Sequence, residues 1–228
     1  SALFGALSSL IIGFVAYSLT GKRQYAYITM IALAISKGFW SQAIIAEVYT
    51  LNTFLFLLTL WVALTLLNIQ KNNSLRENRL YFILGLLVGL GLTNHWPLYI
   101  LGCTGVFVIL LPNLKNIATR WNWILYGMLI GFSPYIWLYV NSNMEPFISF
   151  WGSFNNGTEF FSFIRRDAYS SSIDFSPAST LSDKLSYVFF TFQQLFTQHG
   201  YIGGFITLLG LYKSFFDLKF ITAIGLLT

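Results

Sequence analysis

From Tyr49 to Leu67 the chain runs for nineteen residues without a charge. No other feature restricts the available folds so severely. As a helix this stretch rises about 28 Å at 1.5 Å per residue, close to the roughly 30 Å hydrocarbon core of a bilayer. Further apolar runs fall at Ala2–Leu19, Tyr25–Ser36, Leu80–Thr93, Leu98–Leu111, Trp123–Val140 and Tyr187–Tyr212, with a partial one at Phe220–Leu227. The short second run is completed through Phe39 and Trp40. Charged residues are 9% of the 228, whereas soluble domains carry roughly a quarter. The expected fold is therefore all-α: a polytopic transmembrane helical bundle of about seven spans plus a truncated one.

Orientation follows from the basic residues. Lys22 and Arg23 follow the first run, Lys71, Arg76 and Arg79 the third, Lys115 and Arg120 the fifth, and Lys213 and Lys219 the seventh. Every second loop is basic, which puts nine of the thirteen Lys and Arg inside. Only Lys37, Arg165, Arg166 and Lys184 are left outside. The expected division is a six-span module over 1–140, an extracytoplasmic segment with an interfacial helix over 141–183, and a C-terminal transmembrane helix with a truncated next span over 184–228. The net charge of +5 is explained by these inner loops and calls for no nucleic-acid partner. The chain enters its first apolar run at Ala2 without a basic n-region and stops inside another at Thr228, so it reads as an internal fragment of a longer protein.

Three stretches gather polar groups on the outer side. Glu47 precedes the nineteen-residue run, about 30 Å from Leu67 if both lie on one helix. An acid there is costly enough to suggest function; the plainer alternative is a cap that favours a helix start. The turn Asn94-His95-Trp96-Pro97 joins two short runs, so it is expected either below the outer surface, lining a wet cavity, or at a thinned boundary. The segment 141–183 holds Trp151 and Gly152, a sequon at Asn156, and Arg165-Arg166-Asp167 followed by Tyr169. Paired arginines outside run against the general trend. Their planar donor forks suit phosphate, although an interfacial helix touching lipid headgroups would use them too. His199, near Gly200, reads as structural. Two His and the single Cys103 supply too few ligands for a metal site, and no cofactor fingerprint is present.

Three blocks, FWSQAIIAEVYTLN at Phe39–Asn52, GLGLTNHWPLYIL at Gly89–Leu101 and FWGSFNNGTEFFSFIRRDAY at Phe150–Tyr169, occur in order across nearly the whole chain. Together they resemble a polytopic membrane family long catalogued as of unknown function, whose animal member is a protein O-mannosyltransferase of the GT-C superfamily. The resemblance implies a GT-C-like bundle that moves a sugar from a polyprenyl-phosphate carrier to an extracytoplasmic acceptor, a Ser or Thr hydroxyl in the O-mannosyl relatives. Membrane lipid, the carrier-linked sugar and an acceptor protein or glycan are the implied partners. A bacterial inner membrane or the endoplasmic reticulum is the implied location. It assigns Glu47 and His95 to the catalytic centre, Glu47 orienting acceptor or sugar hydroxyls and His95 hydrogen-bonding the donor. Tyr49, Asn52, Asn94, Trp151, Arg165, Arg166 and Tyr169 would bind substrate or carrier, with an arginine on the carrier phosphate. The principal GT-C acid is expected upstream of Ser1.

Two other classes compete. A transporter or flippase would show repeats and helices broken at the midplane, whereas the polar residues here cluster at one face. A non-catalytic membrane scaffold is the second rival, since fold analogy alone does not fix chemistry.

Overall fold

A computed structural model describes residues 1–46, 48–69, 74–142, 144, 154–167 and 180–216. Among these residues the structure is helical, with no strand. Helix α1 (Ala2–Thr20) ends at Gly21, whose φ of 68° lets its amide reach back to the carbonyl of Tyr17; a left-handed glycine is the usual stop. Next come α2 (Arg23–Ile35), α3 (Lys37–Ala43) and α4 (Tyr49–Asn68). Ser36 interrupts α2 and α3 with extended backbone, φ −61° and ψ 125°. Helices α5 (Ser74–Leu110), α6 (Leu114–Thr119), α7 (Trp121–Gly131), α8 (Ser133–Ser142), α9 (Gly157–Arg165) and α10 (Leu181–Phe216) follow among the described residues.

Among the described residues, four stretches are long and apolar enough to cross a membrane: Ala2–Thr20, Tyr49–Asn68, Ser74–Thr119 and Trp121–Ser142. They coincide with five of the seven expected runs, because Ser74–Thr119 contains two of them. Helix α2 spans 13 residues, a rise of about 20 Å, short of a bilayer core by itself.

The chain divides into two compact units, 1–132 with 194–228, and 133–193. In the first, α4 is central. Leu55, Leu57, Leu60, Val62, Ala63, Leu64 and Leu66 pack with Ile11 and Val15 of α1 and with Tyr81, Leu84, Leu87, Tyr99, Val106 and Ile109 of α5. A helix apolar on every side belongs in such an interior position.

Helix α5 is a hairpin, not a rod. Its backbone leaves helical geometry at His95, φ −143° and ψ 74°. The Tyr81 hydroxyl accepts from Asn113 Nδ2 at 2.9 Å, yet 32 residues of straight helix would separate them by about 48 Å. Closer to the turn, the Tyr99 hydroxyl donates to the Leu87 carbonyl at 3.0 Å and lies 2.6 Å from the Thr59 hydroxyl of α4. The expected junction at Asn94–Pro97 is thus where the chain reverses. Pro97 falls in the first turn of the returning arm, where a missing amide hydrogen costs little.

Two devices close the base of this unit. Gly85 and Gly89 of α5 face Gly127 and Gly131 of α7, and a Cβ on Gly85 or Gly127 would strike the carbonyl oxygen of Ile124 or Phe82. Small residues four apart let helix backbones touch, the main source of packing energy where lipid competes for apolar surface. Beside them Arg120 pairs with the buried Glu77 and donates Nε to Asn78 Oδ1 at 3.2 Å.

In the second unit, Asn156 caps α9 by accepting the Glu159 amide at 2.9 Å, while Glu159 Oε2 accepts from the Asn155 amide at 2.9 Å. The helix lays Phe160 and Phe163 against Phe154, at 5.3 Å between centroids in each case, and Phe160 against Tyr139 of α8 at 5.1 Å. Thr180 caps α10 in the same fashion, its hydroxyl accepting the Asp183 amide at 3.2 Å, while its hydroxyl and amide both donate to the Asp183 carboxylate at 2.8 Å. Those two bonds, hydroxyl first, hold the Asp183 carboxyl below its ordinary range.

Candidate functional site

The polar end of α4 forms where the hairpin turn meets it. Asn94 donates Nδ2 to the carbonyl of Val48, the residue that caps α4, at 3.2 Å. The next residue, His95, places its ring 5.6 Å from that of Tyr49, inclined by 46°. The turn therefore docks on the first turn of α4 through one hydrogen bond and one ring contact. Asn52, one turn further along, is 4% exposed and Thr50 is 1% exposed. Neither Asn52 Oδ1 nor Thr50 Oγ1 has a hydrogen-bond partner among the described residues. A buried polar atom left unmatched costs about 1–3 kcal/mol, so such atoms call for a reason. Polar groups of a ligand would satisfy them.

Four of the predicted site residues, Tyr49, Asn52, Asn94 and His95, are thus brought to one end of α4. Glu47, Trp151, Gly152 and Tyr169 lie outside the described residues. Arg165 and Arg166 belong to the second unit. Arg165 is the last residue of α9 and binds Asp167 through Nη2 at 2.9 Å, both side chains being exposed. Such a pair is worth about 0–1 kcal/mol and is readily exchanged for another anion. Arg166 is the left-handed cap of the helix, φ 62° and ψ 36°, a conformation that costs a side-chain-bearing residue about 1–2 kcal/mol.

Sequence reading passed over a polar hollow of about 310 Å³ between α3 and α10, lined by Lys37, Gly38, Ser41, Gln194, Thr197 and Gln198. The available signal was the amide side chains Gln193, Gln194 and Gln198 inside the otherwise apolar run Tyr187–Tyr212. Polar side chains within such runs are uncommon and mark interiors or pathways. A second hollow, of about 340 Å³, opens between α1 and α2 against Leu10, Phe14, Tyr27 and Met30. Among the described residues no three His, Cys, Asp or Glu side chains gather as a metal-binding group.

Residues 1–120 match the family model described as the protein O-mannosyl-transferase TMEM260 N-terminal domain. The chain is also 21% identical over 222 residues to a protein from Dictyostelium discoideum named protein O-mannosyl-transferase tmem260. That similarity covers 92% of this chain and 27% of the relative, so the chain spans about a quarter of the length of the curated protein it matches. No solved structure matches. The matched residues 1–120 enclose the polar end of α4 and the hairpin turn, and exclude Arg165 and Arg166.

Proposed function

The chain belongs to the family of the protein O-mannosyl-transferase TMEM260 N-terminal domain, and from that premise we propose that it is part of a membrane glycosyltransferase of the GT-C type. The donor is a sugar, mannose by analogy with the named relative, carried on a polyprenyl phosphate. The acceptor is a protein Ser or Thr hydroxyl on the extracytoplasmic side. The observation that carries the reading is the docking of His95 and Asn94 on the head of α4 beside Tyr49, next in sequence to Glu47 and inside the family-matched residues.

The chemistry needs little beyond position and charge. Displacing a phosphate from an anomeric carbon requires its developing charge to be held, which a cation does. It also requires a base within hydrogen-bond reach of the incoming hydroxyl. Glu47 orients that hydroxyl and takes up its proton, or orients those of the sugar, His95 hydrogen-bonds the donor, and Asn52 and Thr50 offer their unmatched oxygens to sugar hydroxyls. On the second unit, taken by itself, Arg165, released from Asp167, and Arg166 offer guanidinium groups that suit a phosphate.

The test is transfer of radiolabelled mannose from mannosyl-phosphoryl polyprenol to a Ser/Thr-rich peptide by the full-length protein in proteoliposomes. His95→Ala is expected to lower kcat/KM about tenfold, the loss of one hydrogen bond to a charged group, with unchanged expression. A parent protein that transfers no sugar from any polyprenyl phosphate would remove the reading; unchanged kcat/KM in the variant would remove His95 from it.

Sidedness has its own test. With Cys103, the only cysteine, changed to serine, a cysteine at Thr158 should react with a membrane-impermeant maleimide from the extracytoplasmic face. Thr158 is exposed, and changing it spares the Asn156 cap. Labelling that appears only after reaching the cytoplasmic face would invert the topology.

A further inference from the structure

We infer that the hollow between α3 and α10 is a phosphate-binding pocket, with Lys37 as its cation and a glycosyl phosphate as its ligand. Its lining is rich in donors. Gln198 Oε1 already accepts from the Ser36 hydroxyl at 3.0 Å and from the Gly38 amide at 2.6 Å. Gln194 Oε1 accepts from the Thr197 hydroxyl at 2.9 Å. The Gln198 oxygen is occupied twice, so its amide NH₂ is left to donate; the one Thr197 hydroxyl hydrogen is shared between Gln194 Oε1 and the Gln194 main-chain carbonyl at 3.1 Å, so the Gln194 amide keeps donor and acceptor capacity. Lys37 adds three donors and a full charge, and among the described residues it makes no ion pair. The six lining residues include no carboxylate. A concave site of charge and donors without acids selects an anion with several acceptor oxygens, and phosphate is the commonest such group on a sugar. The Ser41 hydroxyl donates to the Gly38 carbonyl at 2.8 Å and keeps its lone pairs for a sugar hydroxyl.

The pocket is also built in place. Ser36 breaks one wall with extended backbone, and Gly200 breaks the other with φ 69° and ψ 178°, a conformation confined almost entirely to glycine. Gln198, two residues before Gly200, bonds Ser36 and Gly38 across the hollow, and a Cβ on Gly38 would meet its side-chain amide. In a chain of this composition, non-helical backbone is tolerated where it is buried in protein or lines a polar cavity. The volume of about 310 Å³ sits at the lower end of small-molecule sites, suited to one phosphorylated monosaccharide.

The proposal rests on the glycosyltransferase reading only for the sugar attached to the phosphate. Binding of inorganic phosphate, mannose 1-phosphate and mannosyl-phosphoryl polyprenol to the full-length protein in nanodiscs would be measured for the parent, Lys37→Ala, Lys37→Arg and Gln194→Ala. Lys37 is exposed, so its replacement leaves the fold intact, and a thermal melt checks that. Lys37→Ala should weaken binding at least about tenfold, the loss of a charge-assisted hydrogen bond, and Lys37→Arg should restore most of it. Lys37-dependent binding of the water-soluble probes alone would keep the pocket and remove the carrier lipid from the reading. Equal binding by parent and Lys37→Ala, or no binding of any probe, would overturn the pocket. Should that same protein still transfer sugar, the glycosyltransferase reading stands without it.

Discussion

Replacing Glu47 by glutamine in the full-length protein is expected to lower sugar transfer about a hundredfold or more, with membrane insertion and yield unchanged. The substitution keeps shape and hydrogen-bonding capacity but removes the group that accepts a proton, and a positioned acid or base contributes about 10²–10⁴-fold. Its sequence position supplies the reason to look there. Glu47 comes immediately before Val48, whose carbonyl is held by Asn94, and two residues before Tyr49, which meets His95. Initial rates at saturating donor, compared with those of His95→Ala, separate the two residues: a proton acceptor lowers kcat, whereas a group that only binds donor raises KM. Wild-type turnover in Glu47→Gln would return Glu47 to the plainer role of favouring the start of α4.

The second large effect concerns packing. Gly85→Ala and Gly127→Ala are each expected to destabilise the protein by about 3 kcal/mol, the upper end of overpacking costs. Here the added methyl meets main chain, the carbonyl of Ile124 or of Phe82, and a backbone held in a helix has no rotamer by which to yield. Gly157→Ala is the internal control. Gly157 lies in the first turn of α9, and a methyl added there would have nothing within 4 Å of it, so the change should be neutral or slightly stabilising. Thermal melts of the full-length protein in detergent would read all three variants. Gly85→Ala as stable as Gly157→Ala would show that α5 and α7 do not pack through these glycines.

Much of this molecule is readable one residue after another. The helical, membrane-embedded class follows from runs such as Tyr49–Leu67, because length and lack of charge are local properties that a bilayer tests directly. The reversal at Asn94–Pro97 was legible for a related reason: a polar, proline-bearing tetrapeptide between two apolar runs is a poor place to continue a helix. Three ordered blocks carried the family, and the matched residues 1–120 hold the first two of them. The glycine contact between α5 and α7 could have been found from Gly85-x-x-x-Gly89 and Gly127-x-x-x-Gly131, since both show the four-residue spacing of small residues.

Partners distant in sequence were another matter. Nothing near Lys37 announces Gln194 or Gln198, more than 150 residues away; the pocket exists only because a helix broken at Gly200 comes back against one broken at Ser36. Likewise Arg165 reads as a free phosphate fork until Asp167 is found bound to it, and Asn52 reads as an ordinary helix residue until its burial leaves an oxygen unmatched. The sequence by itself determined the helical class, the family and the place where the hairpin turns, since each depends on neighbours along the chain. Only the tertiary structure decided which polar groups meet and which are left wanting a partner, because hydrogen bonds and close packing are settled within about 3–4 Å across elements whose separation in sequence carries no such information.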